Sequence, residues 1–351
     1  MMSTKPSELK NDCLRAAAGA TETRTGLTNQ HIAVTGGTGF LGSWIAEMVA
    51  ALNDEYQLGI TLDLYSRNAA EWAKSNQRLA SRGDINLVVQ DVRSPFAFHA
   101  ATSYVIHAAG IPDNRVHASD PLRVFQTTVL GMAHALEAAA QLPDLKRLIN
   151  LSSSLVSGTP ERSGPITESD FFAIPVAQLH GVYRDAKRSA ESLCAAYRSQ
   201  FRLPISIIRP FTFVGPYQEI DRPWAINSFM RDMLTGSEIR MHNDGSARRS
   251  YLYGSDAAWW TLVALLKGVD GQVYNMGSAE PVSHMELIKL IEKISNKDAK
   301  IVFSNATLKV SKPDDLYPDL NHSYKSLGVE QTCTLEQAIK KTYRWHLKKT
   351  A

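Results

Sequence analysis

A tyrosine and a lysine in one predicted helix have the spacing needed for acid–base chemistry. The segment VYRDAKRSAES, residues 182–192, places Tyr183 and Lys187 at positions i and i+4, so both side chains would lie on one face of a helix. A phenol with an ordinary pKa of about 10 is a poor acid or base at neutral pH, and a neighbouring positive charge favours the phenolate. The spacing therefore predicts a tyrosine whose proton transfer is assisted by a lysine.

Three glycines upstream follow a short apolar run and precede a helical pattern. The segment HIAVTGGTGFLGSW, residues 31–44, has the spacing G-x-x-G-x-x-G at Gly36, Gly39 and Gly42. In dinucleotide-binding folds the first glycine makes a tight turn, the second lets the backbone approach the pyrophosphate, and the third allows close helix–strand packing. The N-terminus of the following helix faces the phosphates. The motif predicts a dinucleotide site, and a plain glycine-rich turn in an α/β protein is the alternative.

Short apolar strands and helical patterns alternate around these motifs. Strands are predicted at HIAV, GITLDLY, INLVV, YVIHAAG and RLINLSSS, with helices from Phe40 to about Leu52 and from about Pro121 to Ala140. Such alternation is typical of βαβ units with a parallel sheet, and strands without a polar face are covered on both sides. The predicted fold class is α/β, a Rossmann-type doubly wound parallel sheet with a smaller C-terminal substrate-binding lobe.

The same patterns predict how the chain is divided. Residues 1–29 are interpreted as an N-terminal extension with room for one helix, and residues 30–209 as the dinucleotide-binding domain, with a return segment near 250–275. After Arg209 prolines and aromatic residues gather and strands become rare. Residues 210–351 are therefore expected to form mainly the substrate-binding lobe.

Composition excludes several functional classes. The 351 residues are 44% hydrophobic and 21% charged with a net charge of +3, too small an excess to indicate nucleic-acid binding. Cys13, Cys194 and Cys333 lie far apart without a CxxC pattern, so neither a disulfide framework nor a metal site is predicted. The longest apolar run, AAWWTLVALL, is too short to cross a bilayer, and the N-terminus is a poor signal peptide. These features favour a cytoplasmic protein without a membrane partner.

Several segments occur together in the order of one known family. TGGTGFLG, QDVRS, HAAG, the Tyr-x-x-x-Lys segment and the C-terminal YKSLGVEQTCTLEQAIKKTYRWH resemble the extended short-chain dehydrogenase/reductase family, the nucleotide-sugar epimerases and dehydratases. The resemblance covers nearly the whole chain. It implies a bound NAD or NADP, a nucleotide-diphosphate sugar as substrate, and a homodimer formed through the helices at about 121–140 and 182–201.

The resemblance also implies which residues contact the cofactor. The expected acidic residue that ends the second strand falls nearest Ser66, with Arg67 beside it, and an arginine there can accommodate a 2′-phosphate. Asp63 is the alternative if the strand ends earlier, and the habit of the family's epimerases slightly favours NAD. The full set of expected cofactor contacts is Gly36, Gly39, Phe40, Leu41, Gly42, Ser66, Arg67, Asp91, Val92, His107, Ala108, Ala109, Tyr183 and Lys187.

A serine completes the catalytic group that the resemblance implies. The family places a serine or threonine five residues before the glycine of INLSSSLVSG, which gives Ser153, and the assignment could shift to Ser152 or Ser154. The serine hydroxyl would bond the sugar oxygen and share its proton with Tyr183. The predicted catalytic residues are therefore Tyr183, Lys187 and Ser153.

The two residues after Ser153 bear on the reaction. Dehydratases of the family carry an Asp-Glu pair there, and this chain has Ser154 and Leu155. Leucine cannot move a proton, which favours an epimerase acting through a transient 4-keto sugar. A reductase or an atypical dehydratase of the same family is the alternative, and a catalytically silent NAD(P)-binding protein is a further one.

Segments after residue 208 resemble the family's substrate-binding motifs with departures. RPFTFVGP keeps Arg209 of R-x-x-N-V-Y-G-P but has Thr212 in place of the asparagine. The planar guanidinium of Arg249 would bind the diphosphate with paired bonds, Arg248 is interpreted as its solvated neighbour, and Asp256 as the cap of the next helix. The predicted substrate contacts are Ser153, Ser154, Thr212, Asn227 and Arg249.

Overall fold

The structure is a computed structural model that describes residues 6–158, 162–173, 178–241, 243–304 and 315–347. Its helices within these ranges are α1 Pro6–Ala16, α2 Thr21–Gly26, α3 Phe40–Tyr56, α4 Ala69–Ser75, α5 Gln77–Ala80, α6 Asn114–Ser119, α7 Pro121–Ala139, α8 Val182–Phe201, α9 Ala225–Thr235, α10 Gly254–Lys267, α11 His284–Ser295, α12 Asn321–Leu327 and α13 Leu335–Leu347. Its strands are β1 His31–Thr35, β2 Thr61–Ser66, β3 Ile85–Val89, β4 Tyr104–His107, β5 Arg147–Leu151, β6 Ile205–Pro210, β7 Thr212–Val214, β8 Ile239–Met241, β9 Arg248–Arg249, β10 Tyr251–Tyr253, β11 Val273–Met276, β12 Val282–Ser283 and β13 Ile301–Phe303. Single 3-10 turns span Ser154–Ser157 and Leu179–Gly181.

The main sheet has seven parallel strands in the order β11-β6-β5-β4-β1-β2-β3. The order reverses at β1, which lies between β2 and β4, and Thr35 at the end of β1 is opposite His107 at the end of β4. The segments that follow these two strands therefore leave the sheet side by side. Ligands of doubly wound sheets bind at this kind of switch point. The predicted Rossmann-type fold is confirmed.

Apolar side chains cover both faces of the sheet. Ile32 and Val34 belong to the core that contains α3 and α10, whereas Ala33, Val105 and Leu148 belong to the core that contains α7 and α8. Successive residues of a strand point to opposite faces, so a sheet with helices on both sides needs apolar residues at every position. This explains why the central strands lack polar alternation.

The first described residues pack against the sheet's helices. Helix α1 contacts α3 and α10, and its buried Asp12 accepts hydrogen bonds from Lys341 Nζ at 2.7 and 2.9 Å and from the Tyr253 hydroxyl at 3.0 Å. The segment expected to be an extension with one helix thus has two helices in its described part, residues 6–29. The first of them is tied to α13 by a buried charge pair.

The chain after Arg209 contains more strands than the sequence indicated. Strands β7 to β13 have only two to four residues each, too few to produce a detectable alternation. Strand β11 joins the main sheet beside β6, and the others form the pairs β7–β10, β9–β12 and β8–β13. Helices α9 and α11 pack together beside β8. None of the helices in the described ranges is long and apolar enough to span a bilayer.

The expectation that Asp256 caps α10 is wrong. Tyr253 is the N-cap, and Asp256 lies inside the first turn. Its carboxylate accepts hydrogen bonds from Thr332 N at 3.1 Å, the Thr332 hydroxyl at 2.6 Å and Cys333 N at 3.1 Å. Burial raises the pKa of Asp256, and these hydrogen bonds act against burial. The carboxylate therefore holds the loop before α13 against α10.

Candidate active site

The glycine segment forms a turn that side chains would obstruct. Gly36 has φ +68°, and a Cβ there would lie 2.8 Å from the Ala108 carbonyl oxygen and from Ala109 N. A Cβ at Gly42 would collide with the Gly37 carbonyl. Gly39, the N-cap of α3, offers no side-chain cap to the first-turn N–H groups. The turn and the helix N-terminus together make a cradle that fits the pyrophosphate of a dinucleotide.

The first two residues of α3, which follow this turn, differ in burial. Leu41 is buried in the core, whereas Phe40 is only partly buried, and its ring stacks on Phe213 of β7 with centroids 5.5 Å apart. Phe40 therefore connects the start of α3 to the region expected to bind substrate.

Ser66 and Arg67 stand at the carboxyl end of β2. The Ser66 hydroxyl pairs with the Thr38 hydroxyl at 2.5 Å, so it is joined directly to the glycine turn. Arg67 is 43% exposed and lies 4.0 Å from the Asp91 carboxylate. The guanidinium of Arg93, 2.7 Å from Asp91, lowers the pKa of that carboxyl. A guanidinium therefore stands at the strand end where the family often has an acid.

Asp63 does not reach that end of the sheet. It lies in the interior of β2, opposite Ala33, and its carboxylate bonds His31 Nε2 and Asn86 Nδ2, each at 2.8 Å. These contacts make Asp63 part of the sheet interior. Of the two alternatives for the end of the second strand, the structure gives Ser66.

The HAAG segment combines a buried histidine side chain with a backbone that contacts the glycine turn. His107 Nδ1 bonds the Thr35 hydroxyl at 2.8 Å, and its buried Nε2 has no partner among the described residues. Burial, with a smaller effect from the Lys187 charge, lowers the pKa of His107 to about 3, so the imidazole is neutral. Ala108 and Ala109 contact the glycine turn through their backbone, as the Gly36 geometry requires.

Val92 is buried against α7, close to His107. A Cβ on Gly131 of α7 would lie 2.8 Å from Val92 Cγ2 and 3.8 Å from His107 Cε1. The Val92 carbonyl oxygen is 2.9 Å from His134 Nδ1. The side chain of Val92 therefore packs against α7 while its neighbour Asp91 remains at the surface.

The three predicted catalytic residues meet where β5 ends beside α8. The Ser153 side chain lies near enough to the Tyr183 hydroxyl to lower the pKa of the phenol, and its oxygen accepts a hydrogen bond from Leu155 N at 3.2 Å. Lys187 Nζ donates to the Leu151 carbonyl oxygen at 2.7 Å and lies 6.0 Å from the Tyr183 ring centroid. Phenol, ammonium and hydroxyl therefore converge as the sequence predicts.

Burial dominates the ionisation of this group. It raises the pKa of Tyr183 to about 12, against the hydrogen bond from Ser153, and it lowers the pKa of Lys187 to about 8, against the attraction of Glu191. The sequence-based expectation was that neighbouring positive charge favours the phenolate. Burial of the phenol acts in the opposite direction and is the larger effect on its pKa in this structure.

The catalytic group adjoins the glycine turn through the segment after β4. A Cβ built on Gly110 would lie 3.6 Å from Lys187 Nζ, and the two residues before Gly110 contact Gly36. One continuous stretch of backbone therefore joins the predicted pyrophosphate cradle to the lysine.

Ser154 and Leu155 occupy the positions where the family's dehydratases have acids. Ser154 is buried in the 3-10 turn that follows Ser153. Leu155 packs against the cluster formed by Ile111, Val124 and Tyr183. The position beside the tyrosine is therefore apolar.

Glu191 is a residue of this region that the sequence analysis missed. It accepts hydrogen bonds from the Ser152 hydroxyl at 2.5 Å and from Arg209 Nε and Nη2 at 3.0 and 2.8 Å. Arg209 also donates to the Glu168 carbonyl at 2.7 Å. Glu191 lies four residues after Lys187 on the same helix face, and this spacing was the signal that could have identified it. Arg209 is thereby part of a buried charge pair behind the catalytic group.

The predicted substrate residues on the C-terminal side lie on three different elements, β7, α9 and β9. Thr212 is half-buried in β7, opposite Tyr251. Asn227 is fully buried, donates from Nδ2 to the Glu219 carbonyl at 2.7 Å, and has a buried Oδ1 without a partner among the described residues. Arg249 lies in β9 and donates to the Arg248 carbonyl at 2.9 Å.

A cavity of about 890 Å³ runs along α9. It is lined by α9 and by the strand and loop around β8, with Asn114 of α6 at one end. Thr212, Asn227 and Arg249 do not line it. Its volume matches the size range of small-molecule sites, and the lining combines Phe229 with polar side chains such as Ser228 and Asn243.

Comparison with known proteins identifies the family. The model of the NAD dependent epimerase/dehydratase family matches residues 32–277. A UDP-N-acetyl-alpha-D-glucosaminuronate decarboxylase from Bacillus cytotoxicus is 27% identical, with 89% of this chain and 96% of that protein covered.

Solved structures of this family share the fold. A UDP-glucuronic acid 4-epimerase from Bacillus cereus, in complex with UDP-glucuronic acid and NAD, is 26% identical with a TM-score of 0.77 over 92% of this chain and all of that chain. A UDP-glucose 4-epimerase from Thermotoga maritima is 22% identical, with a TM-score of 0.78 over 92% of this chain and all of that chain. At this identity the likeness indicates the fold alone. The resemblance found in the sequence and the nicotinamide cofactor are confirmed, since the family depends on NAD and members are crystallised with it. The chain belongs to the NAD-dependent epimerase/dehydratase family.

Proposed function

We propose that this protein is a nucleotide-sugar epimerase that inverts C4 of its sugar through a transient 4-keto form. The proton of the sugar 4-hydroxyl passes to Tyr183 through Ser153, which bonds that oxygen, gives its own hydroxyl proton to Tyr183 and takes up the sugar proton in exchange. The nicotinamide cofactor, when bound, supplies a positive ring that favours the phenolate and accepts and returns the C4 hydride. The flat keto sugar turns over in the site, and Tyr183 returns the proton to its oxygen.

One observation carries the proposal: Tyr183 lies near Ser153 on one side and packs with an apolar Leu155 in the same cluster. Elimination of water from C5 and C6 needs additional groups that move protons, and leucine supplies none. Epimerisation needs only the tyrosine and the cofactor. Lys187, held by the Leu151 carbonyl, bonds the nicotinamide ribose and adds positive charge near the phenol.

The cofactor residues are assigned from the same placement. The turn at Gly36, Gly39 and Gly42, with the backbone of Phe40 and Leu41, holds the pyrophosphate. Ser66 and Arg67 would hold the adenosine ribose, Asp91 and Val92 the adenine edge, and the segment His107–Ala109 would support the cofactor from the end of β4. NAD is favoured, as in the neighbours crystallised with it.

The substrate is a nucleotide-diphosphate sugar. Thr212 and Ser154 contact the sugar, Asn227 lies near the nucleotide, and Arg249 binds the diphosphate. UDP-glucuronic acid is the first compound to test, because a neighbour at 26% identity is an epimerase crystallised with it and relatives are uronate decarboxylases.

A homodimer is proposed through α7 and α8. Leu122, Phe125 and Leu130 of α7 and Phe201 of α8 are large apolar side chains that are more than a third exposed, which is the pattern expected where helices pair between subunits. A cytoplasmic location is proposed because all three cysteines are free and buried.

The proposal is tested by incubating the purified protein with UDP-glucuronic acid and with UDP-, CDP-, GDP- and dTDP-hexoses, followed by proton NMR. An epimerase gives a mixture of C4 epimers, keeps substrate-derived deuterium at C4 and consumes no added NADPH. Release of carbon dioxide, loss of water or stoichiometric use of NADPH would instead identify a decarboxylase, a dehydratase or a reductase. Bound cofactor without conversion of any of these sugars would indicate a silent binding protein.

A further inference from the structure

A histidine that the sequence analysis did not single out lies flat against the predicted catalytic tyrosine. The imidazole of His117, on α6, stacks on the Tyr183 ring with centroids 4.5 Å apart and an interplanar angle of 15°. Tyr183 is only 7% exposed and belongs to a small apolar cluster with Ile111 and Val124. One face of the phenol ring is therefore covered by an aromatic plane from another element.

The imidazole is itself fixed by the backbone. His117 Nε2 is 2.7 Å from the Ile111 carbonyl oxygen, and because a carbonyl only accepts, that nitrogen carries a proton and donates. The main-chain N–H of His117 also donates to the Asp113 carbonyl at 3.0 Å. Two hydrogen bonds thus set the position and the plane of the ring.

The turn that carries His117 is anchored as well. The buried Asp113 carboxylate caps α6 by accepting from Arg115 N at 3.0 Å. It also accepts from the Arg115 side chain at 2.8 Å and from Arg222 at 3.2 Å. A ring held by such a segment can prevent a partner ring from moving toward it.

We infer that His117 is a positioning residue, which holds the Tyr183 phenol so that its hydroxyl stays on Ser153. The inference rests on the proposed function of Tyr183. A swing of the phenol about its Cα–Cβ bond would move the hydroxyl away from Ser153, and displacement of a reacting group by about 1 Å costs up to about a hundredfold in rate. The imidazole stacked on the phenol blocks a swing toward that face, and the bond to the Ile111 carbonyl keeps the imidazole in place.

The test uses three variants and UDP-glucuronic acid as the probe. His117→Ala removes the stacked ring, His117→Phe keeps a ring without the N–H donor, and His322→Ala is the matched control. His322 stacks on Tyr274 with centroids 5.1 Å apart, also from a short helix. His117→Ala is expected to lower kcat by about tenfold to a hundredfold with KM within twofold, whereas His117→Phe recovers most of the loss and His322→Ala leaves kcat within twofold.

A second readout does not depend on turnover. With tyrosine labelled at Cζ with ¹³C, the resonance of Tyr183 is assigned by its absence in Tyr183→Phe. In His117→Ala this resonance should shift or broaden, and in His117→Phe and His322→Ala it should stay near the wild-type position. If wild-type protein does not convert UDP-glucuronic acid, the proposed function fails for this sugar while the NMR comparison still decides the role of His117. An unchanged Tyr183 resonance in folded His117→Ala, or a loss confined to KM, would overturn the inference. If His117→Ala does not fold, a wild-type resonance and kcat in His117→Phe support it, and a shifted resonance with reduced kcat contradicts it.

Discussion

The ammonium of Lys187 lies 2.7 Å from the main-chain carbonyl oxygen of Leu151, the last residue of β5. This bond fastens α8 to the end of a central strand, two residues before Ser153. Because Lys187 and Tyr183 both belong to α8, this bond brings their side chains close to Ser153.

The lowered pKa of Lys187 predicts how the free energy of unfolding depends on pH. Burial holds its pKa at about 8 in the folded protein, below the ordinary value of 10.5. Between these values the unfolded chain keeps a proton that the folded chain has released, so this group makes the free energy of unfolding rise with pH. Wild type should therefore gain stability relative to Lys187→Met as pH rises from about 8 toward 10.5.

Urea denaturation of the two proteins at pH 7.5, 8.5 and 9.5 measures this difference. Other titrating groups are common to both proteins and cancel in the comparison. A difference that does not change with pH would show that Lys187 titrates normally.

The charge pair behind the catalytic group should be important for stability. Glu191 and Arg209 are 14% and 3% exposed, and removal of one partner leaves the other charge buried and unpaired, which costs about 3 kcal/mol or more. Glu191→Ala is expected to lower the free energy of unfolding in urea by that amount. The control is Glu336→Ala, which breaks an exposed pair with Lys293 and should cost less than about 1 kcal/mol. If Glu191→Ala and Glu336→Ala lower the free energy of unfolding equally, the Glu191–Arg209 pair does not have this importance for stability.

The glycine turn gives a prediction about cofactor retention. Alanine at Gly36 must adopt φ +68° and would press against the Ala108 carbonyl, so Gly36→Ala should displace the turn that faces the pyrophosphate. The amount of NAD that remains bound after gel filtration, and the Kd from calorimetry, are the measurements. We expect at least a tenfold weaker Kd, on the order of 1.4 kcal/mol.

Gly83→Ala is the matched control for this loss. A Cβ at Gly83 meets nothing within 4 Å, so this variant should bind NAD as wild type does. Retention of NAD by Gly36→Ala at the wild-type level would contradict the cradle assignment.

The sequence allowed the sheet and the glycine turn to be predicted because their signals are local. Runs such as INLVV occupy one strand, and the spacing of Gly36, Gly39 and Gly42 is set by one turn and the helix that follows it. The relation of Tyr183 to Lys187 is also contained within a single helix. Such features need no knowledge of which distant segments meet.

The features that sequence analysis missed depend on tertiary contacts. His117 reaches Tyr183 from another helix, and Glu191 meets Arg209 across α8 and β6. Asp256 has the position of a helix-start acid, and only the fold shows that its partners are Thr332 and Cys333. The burial that raises the pKa of Tyr183 also cannot be recognised from the spacing of residues along one helix.

The central claim is that Tyr183 transfers the sugar proton, and the most direct measurement is the rate of C4 inversion of UDP-glucuronic acid by Tyr183→Phe, followed by proton NMR at matched cofactor content. Tyr197→Phe, on the same helix, is the control and should stay within twofold of wild type. The account predicts that, at equal cofactor content, Tyr183→Phe lowers kcat by about 100- to 10,000-fold. Inversion by Tyr183→Phe at the wild-type rate would contradict it.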